Sequence, residues 1–570
     1  MSAPTIVKIR VPASELAQPH EAKSKPARVR PVTLRRRMAV FTCLVAGAFA
    51  AVSGQLLRLG LKGEHGPSLS MARPLARSWA RPDIVDRKGR LLATDVAIPS
   101  LVADPAIIDD PDLVALELAK HLEGEDPAKL AKKLAQKGRR FVWIKRGLTP
   151  KKAQEIHDLG IPGLRFRNEL RRIYPAGNTA SHVLGTVSVD NLGQLGIERF
   201  IDDKVGVEAV NAPGRTTKPP VRLSLDLGAQ HALRAELADA MKRYKSAAAA
   251  GIVLDVATGE ILAASSLPDY DPNHSAESLE KRRIDRLVRE RYELGSVFKT
   301  LTLAAAIDGN YATTETEFDA RLPIKIGRYT INDLHPARRW MTARDIFVQS
   351  SNIGSARIAD HLGPERLRGF FARLGLLEQM ETEIGPLVAP DFPDAWRRIH
   401  NMTISYGHGL AVAPLQFAAA SAALFNGGKR IYPTFLKVQI DRVRYRPKSV
   451  LKQETSGVMR GLMRLNVTSP SGTGRRANVP GYEVGGKTGT ADIPGKGGYK
   501  GNGVNTSFLA IFPANEPRYL TLVTIFKPKR TAASGNSVTA GRTAAPTTAR
   551  IIERVAPILG LAPRPLKGEM

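Results

Sequence analysis

A chain of 570 residues with 43% hydrophobic and 24% charged side chains can hold several domains and has ample material for a large core. Its 84 Lys and Arg against 54 Asp and Glu leave a net charge of +30, which suits an anionic partner; aromatics of only 6%, with no aromatic-interleaved basic repeat or zinc-finger spacing, weigh against nucleic acid. The sole cysteine, Cys43, excludes an intrachain disulfide and a cysteine-rich metal site, and no His-Glu-x-x-His occurs, so neither a metal nor another cofactor is expected.

Residues 1–37 are rich in Pro, Ser, Lys and Arg without an apolar period, which predicts a disordered basic tail. Residues 38–57 carry no charge and, at ~1.5 Å per residue, would span a bilayer core of about 30 Å as a helix. More Lys and Arg flank this run before it than after it, which places the amino terminus in the cytoplasm. Ala48-Phe49-Ala50 resembles a signal-peptidase site, but the basic region ahead is far longer than a signal-peptide start, so an uncleaved anchor is expected. Residues 58–80 read as a tether. From 81 to 220, short apolar runs such as 141–144 alternate with charged helical stretches such as 126–137, an α+β module without a nucleophile, metal set or phosphate loop.

A linker-like composition near 216–220 marks a domain boundary. A helix at 228–244 follows, then strands at 251–255 and 260–264 joined through Ala257-Thr258-Gly259. Strands recur at 507–512 and 519–526, before a closing helix at 546–555 and a tail at 561–570. A sheet held between early and late helices, around a central helical block, is the simplest assembly.

Ser296 opens a helical stretch over 298–307, with Gly309 in the C-cap position. Lys299, three residues on, shares its face, so the amine can reach the hydroxyl, while the helix N-terminus favours developing negative charge. A neutral lysine can take the proton that makes serine a nucleophile. The pattern is weak alone, since it recurs at Ser278 to Lys281 and Ser449 to Lys452. Thr342 is a plausible N-cap for a helix that ends at Ser350-Ser351-Asn352; i and i+2 do not share a helix face, so Ser350 and Asn352 work best on a loop. Ser534-Gly535-Asn536 repeats that pattern too. The third group, Gly485-Gly486-Lys487-Thr488-Gly489-Thr490, also completes a phosphate-loop pattern with Gly481. A phosphate loop needs a helix next, and Ala491-Asp492-Ile493-Pro494-Gly495-Lys496-Gly497-Gly498 cannot be one. An edge strand fits better. Its glycines allow close approach by a ligand, and Lys487 and Thr488 can meet a carboxylate.

Nucleophile, Ser-x-Asn and Lys-Thr-Gly in this order resemble penicillin-binding proteins and class A β-lactamases. Residues 257–264, 267–273 and 405–416 resemble class B penicillin-binding proteins, the last stretch most closely their cell-division peptidoglycan D,D-transpeptidases. Residues 171–177 and 196–198 resemble that family's pedestal. Pro82 and Lys88 stand where the family pattern has Gly and Asn. The resemblance implies an α+β protein with a single amino-terminal transmembrane helix (38–57), an elongated α+β pedestal (81–220) and a β-lactamase-like transpeptidase domain (221–560), an antiparallel sheet flanked by helices plus a helical subdomain. It implies that Lys299 takes the proton of Ser296, which attacks a D-Ala-D-Ala stem peptide. The N–H groups of Ser296 and Thr490 would hold the oxyanion. Ser350 and Asn352 would relay a proton and hold the stem amide. Lys487 and Thr488 would bind the terminal carboxylate, and Gly489 and Thr490 would belong to the same substrate-binding strand. β-Lactams would trap Ser296. By the same resemblance the catalytic domain is periplasmic, anchored in a bacterial inner membrane at the division septum beside a membrane glycosyltransferase and other division proteins, with no nucleic acid partner. An elongation-type transpeptidase and a non-catalytic β-lactam-binding scaffold or sensor are the alternatives.

Overall fold

Residues 31–61, 78–210, 218–327, 329–438, 448–494 and 502–564 are described by the computed structural model, which divides into two units, 1–76 and 77–570. In the first, a helix runs Pro31–Leu61. Proline fits a first helical position because its missing N–H would have no partner there anyway. The helix therefore begins inside the segment expected to be disordered through residue 37, and it contains 38–57. The expectation of a transmembrane span there is narrowed: side chains are described for 39–54 only, about 24 Å of helix, and among the described residues no helix is long and apolar enough to cross a membrane. The expected tail over 1–30, most of the tether (62–77) and residues 565–570 lie outside the described residues.

The second unit begins with a long antiparallel pair, Leu91–Ala103 with Leu164–Ile173, in register from Thr94 opposite Ile173 to Ala103 opposite Leu164. Helices Pro111–His121, Pro127–Leu134 and Pro150–His157 each place proline first, behind Asp110, Asp126 and Thr149, whose side chains accept backbone N–H bonds. Leu118, Leu130 and Ile156 from these helices bury against Leu101 and Ala103 of the pair. Elsewhere in this part Arg81 and Arg172, both buried, share one carboxylate: Arg81 Nε lies 2.8 Å from Glu198 Oε2 and Arg172 Nε 2.7 Å from Oε1. Asp202 and Asp95 complete the cluster at 2.5 and 3.2 Å. Gly196, two residues before Glu198, has φ +61°, and a Cβ there would lie 2.6 Å from Val183 O. The turn that delivers Glu198 thus has no room for a side chain. Glu198→Ala leaves two buried guanidinium groups short of a partner; breaking such a cluster costs about 3–5 kcal/mol. A lower urea midpoint, followed by circular dichroism, is the expected outcome.

A strand begins directly after the expected boundary at 220. Val221–Arg222 pairs in parallel with Ile84–Val85, so the first strand after the linker completes the sheet of the part before it. Lys88, the departure from the family pattern, sits 2.8 Å from Asp226, and Arg90 bridges Asp226 and Asp86 at 2.9 and 2.6 Å. Asp226 caps the helix Leu227–Arg243, so these charges fasten the Asp86 turn to that helix.

The main sheet has five antiparallel strands in the order Gly485–Asp492, Val504–Phe512, Tyr519–Phe526, Ala248–Asp255, Ile261–Leu267. Side chains alternate between its faces. Ala249 and Val253 pack with Leu233 and Leu237 of the Leu227–Arg243 helix and with Ile551, Ile552 and Val555 of the closing helix Ala544–Ile558. Ala250, Ile252 and Leu254 pack with the central helical block, including Phe298, Leu301 and Phe417. Burial on both faces explains the nearly continuous apolar runs of these strands. The Lys-Thr-Gly strand is the sheet's edge, and it forms one wall of the cleft described next.

Candidate active site

Ser296 sits in a 3₁₀ turn, Gly295–Phe298, that leads into the α-helix Lys299–Asp308. The α-helix thus starts one residue later than the sequence indicates, and Ser296 precedes it. Two close approaches fix the turn. Gly295 has φ +62°, and a Cβ there would meet Thr490 O at 2.7 Å; a Cβ on Gly407, from the 405–416 stretch, would meet Gly295 O at 2.2 Å. The nucleophile's turn is clamped between the edge strand and the Gly407 loop.

Ser350 ends the helix Ala343–Gln349 in the left-handed region, φ +63°, and Asn352 begins the next helix, Asn352–Leu362. The strained serine costs about 1–2 kcal/mol, and its hydroxyl meets Lys299 and Lys487. Lys299 Nζ donates to Ser350 O at 2.5 Å, Asn352 Oδ1 at 2.8 Å and Ser350 Oγ at 3.3 Å. Lys487 Nζ donates to the same Ser350 Oγ at 2.8 Å. One hydroxyl lies between two buried amines. Burial pushes the Lys299 amine down to about 7, against a smaller opposing pull from Asp333. Burial, with the charge of Lys299, holds Lys487 well below the usual lysine range.

A cleft of about 690 Å³ is lined by Ser296, Ser350, Asn352, Thr488, Thr490 and His408, among others. Lys487 is fully buried, is not among the residues that line the cleft, and reaches it through its bond to the Ser350 hydroxyl. Gly489 presents backbone only: a Cβ would lie 2.3 Å from Leu294 O. Asp333, which no pattern in the sequence marked, ties the Ser-x-Asn junction together. It accepts from Ser351 Oγ at 2.7 Å, from Ile353 N at 3.0 Å and from Asn352 N. It lies in an irregular segment, and its bonds reach eighteen or more residues away, so local spacing carries no trace of it.

The look-alike motifs lie elsewhere. Ser278 Oγ donates to Ser275 O at 2.6 Å, Lys452 Nζ to Asn310 Oδ1 at 3.1 Å, and the buried Ser534 to Thr531 O at 3.0 Å. The phosphate-loop alternative fails on its own requirement, since Lys487 and Thr488 lie within a strand that runs on to Asp492. Among the described residues no group of His, Cys, Asp and Glu could hold a metal ion.

A serine beside a buried lysine of lowered pKa, with a second hydroxyl shared by two amines, is equipment for acyl transfer. Residues 249–553 match the penicillin-binding protein transpeptidase domain and 78–207 the penicillin-binding protein dimerisation domain. The chain belongs to the penicillin-binding protein transpeptidase family, and within it to the class B, FtsI-like members. It is 38% identical over 489 residues, 85% of this chain and 82% of the relative, to the probable peptidoglycan D,D-transpeptidase FtsI of Caulobacter vibrioides. It is 33% identical over 92% of its length, and 91% of the relative's, to the probable peptidoglycan D,D-transpeptidase PenA of Neisseria gonorrhoeae. To the peptidoglycan D,D-transpeptidase FtsI of Escherichia coli K12 it is 27% identical, over 81% of this chain and 82% of that one.

Proposed function

We propose that this chain is a septal peptidoglycan D,D-transpeptidase that works through an acyl-enzyme on Ser296 and is a target of β-lactams. The observation that carries the reading is the Ser350 hydroxyl shared by Lys299 and Lys487 beside Ser296 in one cleft. Neutral Lys299 takes the proton of Ser296 as its oxygen attacks the penultimate D-Ala carbonyl. The tetrahedral oxyanion is held by the N–H groups of Ser296 and Thr490. In an extended strand N–H and C=O of one residue point to the same edge, and Thr490 O faces the Gly295 turn, so its N–H does too. Preorganised donors of this kind contribute about 3–4 kcal/mol each. The intermediate then collapses: the C–N bond breaks, and the proton on Lys299 passes through Ser350 to the departing D-Ala amine. Asn352 positions both Lys299 and the stem amide, and Thr488 and Thr490 receive the terminal carboxylate, with Lys487 acting through Ser350. The amine of a second stem attacks the ester and restores Ser296; attack by water gives carboxypeptidase activity.

Residues 38–57 serve as a single membrane anchor with residues 1–37 in the cytoplasm, supported by twenty uncharged positions within one continuous helix. Residues 81–220 act as a pedestal and 221–560 as the periplasmic transpeptidase part, working at the septum with a membrane glycosyltransferase and other division proteins.

The test is to incubate the purified chain with a penicillin, digest it and locate the adduct by mass spectrometry. One equivalent on the peptide containing Ser296 is expected. An adduct on Ser278 or Ser449, or none on a folded chain, overturns the reading. Asp333→Ala should lower the acylation rate roughly tenfold, since it leaves the Asn352 and Ile353 N–H groups and the Ser351 hydroxyl without their acceptor, each costing about 1–3 kcal/mol where buried. Because Asp333 raises the Lys299 pKa, the midpoint of the pH–rate profile should also move to lower pH in this variant.

A further inference from the structure

Arg475, Arg476 and Arg542 line the cleft, are exposed, and take no part in the chemistry above. They stand on two 3₁₀ turns, Arg475–Ala477 and Ala540–Arg542. Both turns hang from the Lys-Thr-Gly strand. On one side Thr488 Oγ1 donates to Thr473 Oγ1 at 2.8 Å, and Asn466 links Thr473 N, at 3.1 Å, to Gly486 O, at 2.7 Å. On the other, Ala540 N donates to Thr490 Oγ1 at 3.0 Å. The turns also meet each other, since a Cβ on Gly541 would lie 2.9 Å from Thr473 O. The backbone beneath the three guanidinium groups is therefore fixed relative to the strand that faces Ser296.

Their charge is not balanced locally. Among the described residues no carboxylate forms an ion pair with any of the three, and Arg475 donates to Pro470 O at 3.3 Å. The carboxylate that does line the cleft, Asp333, is already held by Ser351, Asn352 and Ile353. A planar guanidinium fork matches a carboxylate, and three on one rim raise the local concentration of an anionic peptide. The terminal carboxylate of the donor cannot be their ligand throughout, because it departs with the released D-Ala.

We infer that Arg475, Arg476 and Arg542 bind a second carboxylate of the substrates, one that does not leave with the released D-Ala, and make the enzyme prefer acidic substrates over their carboxamides. The inference rests on the transpeptidase reading. A carboxylate upstream on the donor stays with the acyl-enzyme and is held through both half-reactions. One on the acceptor is met only in the second.

The experiment uses the full chain in detergent and the triple variant R475Q/R476Q/R542Q. Donors are two N-acetylated pentapeptides ending in D-Ala-D-Ala, with glutamic acid or glutamine at the second position, and released D-Ala is measured. Acceptors are glycine and glycinamide. The wild type should favour the glutamic acid donor roughly tenfold at low salt and less as salt rises, as exposed pairs do, and the triple variant should lose the preference. A preference for glycine over glycinamide that the triple variant loses also supports the rim and puts the carboxylate on the acceptor. Equal rates within both pairs for the wild type, or a preference that survives the triple substitution, overturn the inference. Saturation with a fluorescent penicillin separates this failure from that of the underlying reading: no label on the wild type removes the enzyme claim, whereas one equivalent on both proteins leaves it standing and shows that the variant folds.

Discussion

Replacing Lys299 by glutamine should slow acylation by penicillin on the order of 10³-fold, within the range of about 10² to 10⁴ that a positioned general base contributes. The replacement keeps a polar chain of similar length that can still bond Asn352 and Ser350, so what is lost is the base. Burial makes that base available at neutral pH, since it brings Lys299 from 10.5 to about 7. With the ordinary value, roughly one lysine in 3,000 would be neutral at pH 7; with the lowered value about half are. The sign of the pH dependence follows. Neutral lysine is the active form and prevails above its pKa, so wild-type acylation should rise about tenfold per pH unit below 6 and level off above 8. The glutamine variant should show no such limb. The rate of fluorescent labelling between pH 5.5 and 9 measures both. A variant within tenfold of wild type, or a flat wild-type profile, would remove Lys299 from the role of base.

The parts of this fold that could be read from the sequence are those governed by local chemistry. The helix Leu227–Arg243 and the strands Val504–Phe512 and Tyr519–Phe526 match the expected elements to within a few residues, because apolar period and capping residues act over one or two turns. The order of the three motifs carried the family. What escaped has its cause at long range. Asp333 acts on residues 351–353, Lys88 on Asp226 and Arg81 on Glu198; in each, a charge finds its partner only after the chain has folded. Lys487 looked available to a ligand because Lys-Thr-Gly is polar in the sequence, yet the alternation of an edge strand that packs on Phe347 and Ser350 turns it inward. The boundary at 220 was marked by composition, which records the linker and not the parallel pairing of Ile84–Val85 with Val221–Arg222.

Gly489→Ala should reduce acylation about 100-fold while leaving the fold in place. A Cβ there would lie 2.3 Å from Leu294 O, just ahead of the turn that carries Ser296, and 3.2 Å from Val297 N within it. Something must move by about 1 Å to restore ordinary contact. The strand cannot easily yield, since it is paired residue by residue with its neighbour from Gly485 opposite Ile511 to Asp492 opposite Val504. Nor can the turn retreat freely, because the Gly407 loop lies against Gly295 O on its other side. The displacement is forced onto Ser296 and onto its alignment with the Thr490 N–H, and a misplacement of that size costs on the order of 10² in rate. Overpacking of this kind destabilises by about 1–3 kcal/mol, too little to unfold a domain of this size. Gly461→Ala is the matched control: it lies inside the helix Gln453–Thr468 with nothing within 4 Å of its added methyl, and alanine there should stabilise by about 0.5–1 kcal/mol without changing the rate. Labelling rates and urea midpoints for the two variants separate geometry from stability. If Gly489→Ala labels within threefold of wild type, the close fit between the Lys-Thr-Gly strand and the Ser296 turn does not set the reactive geometry.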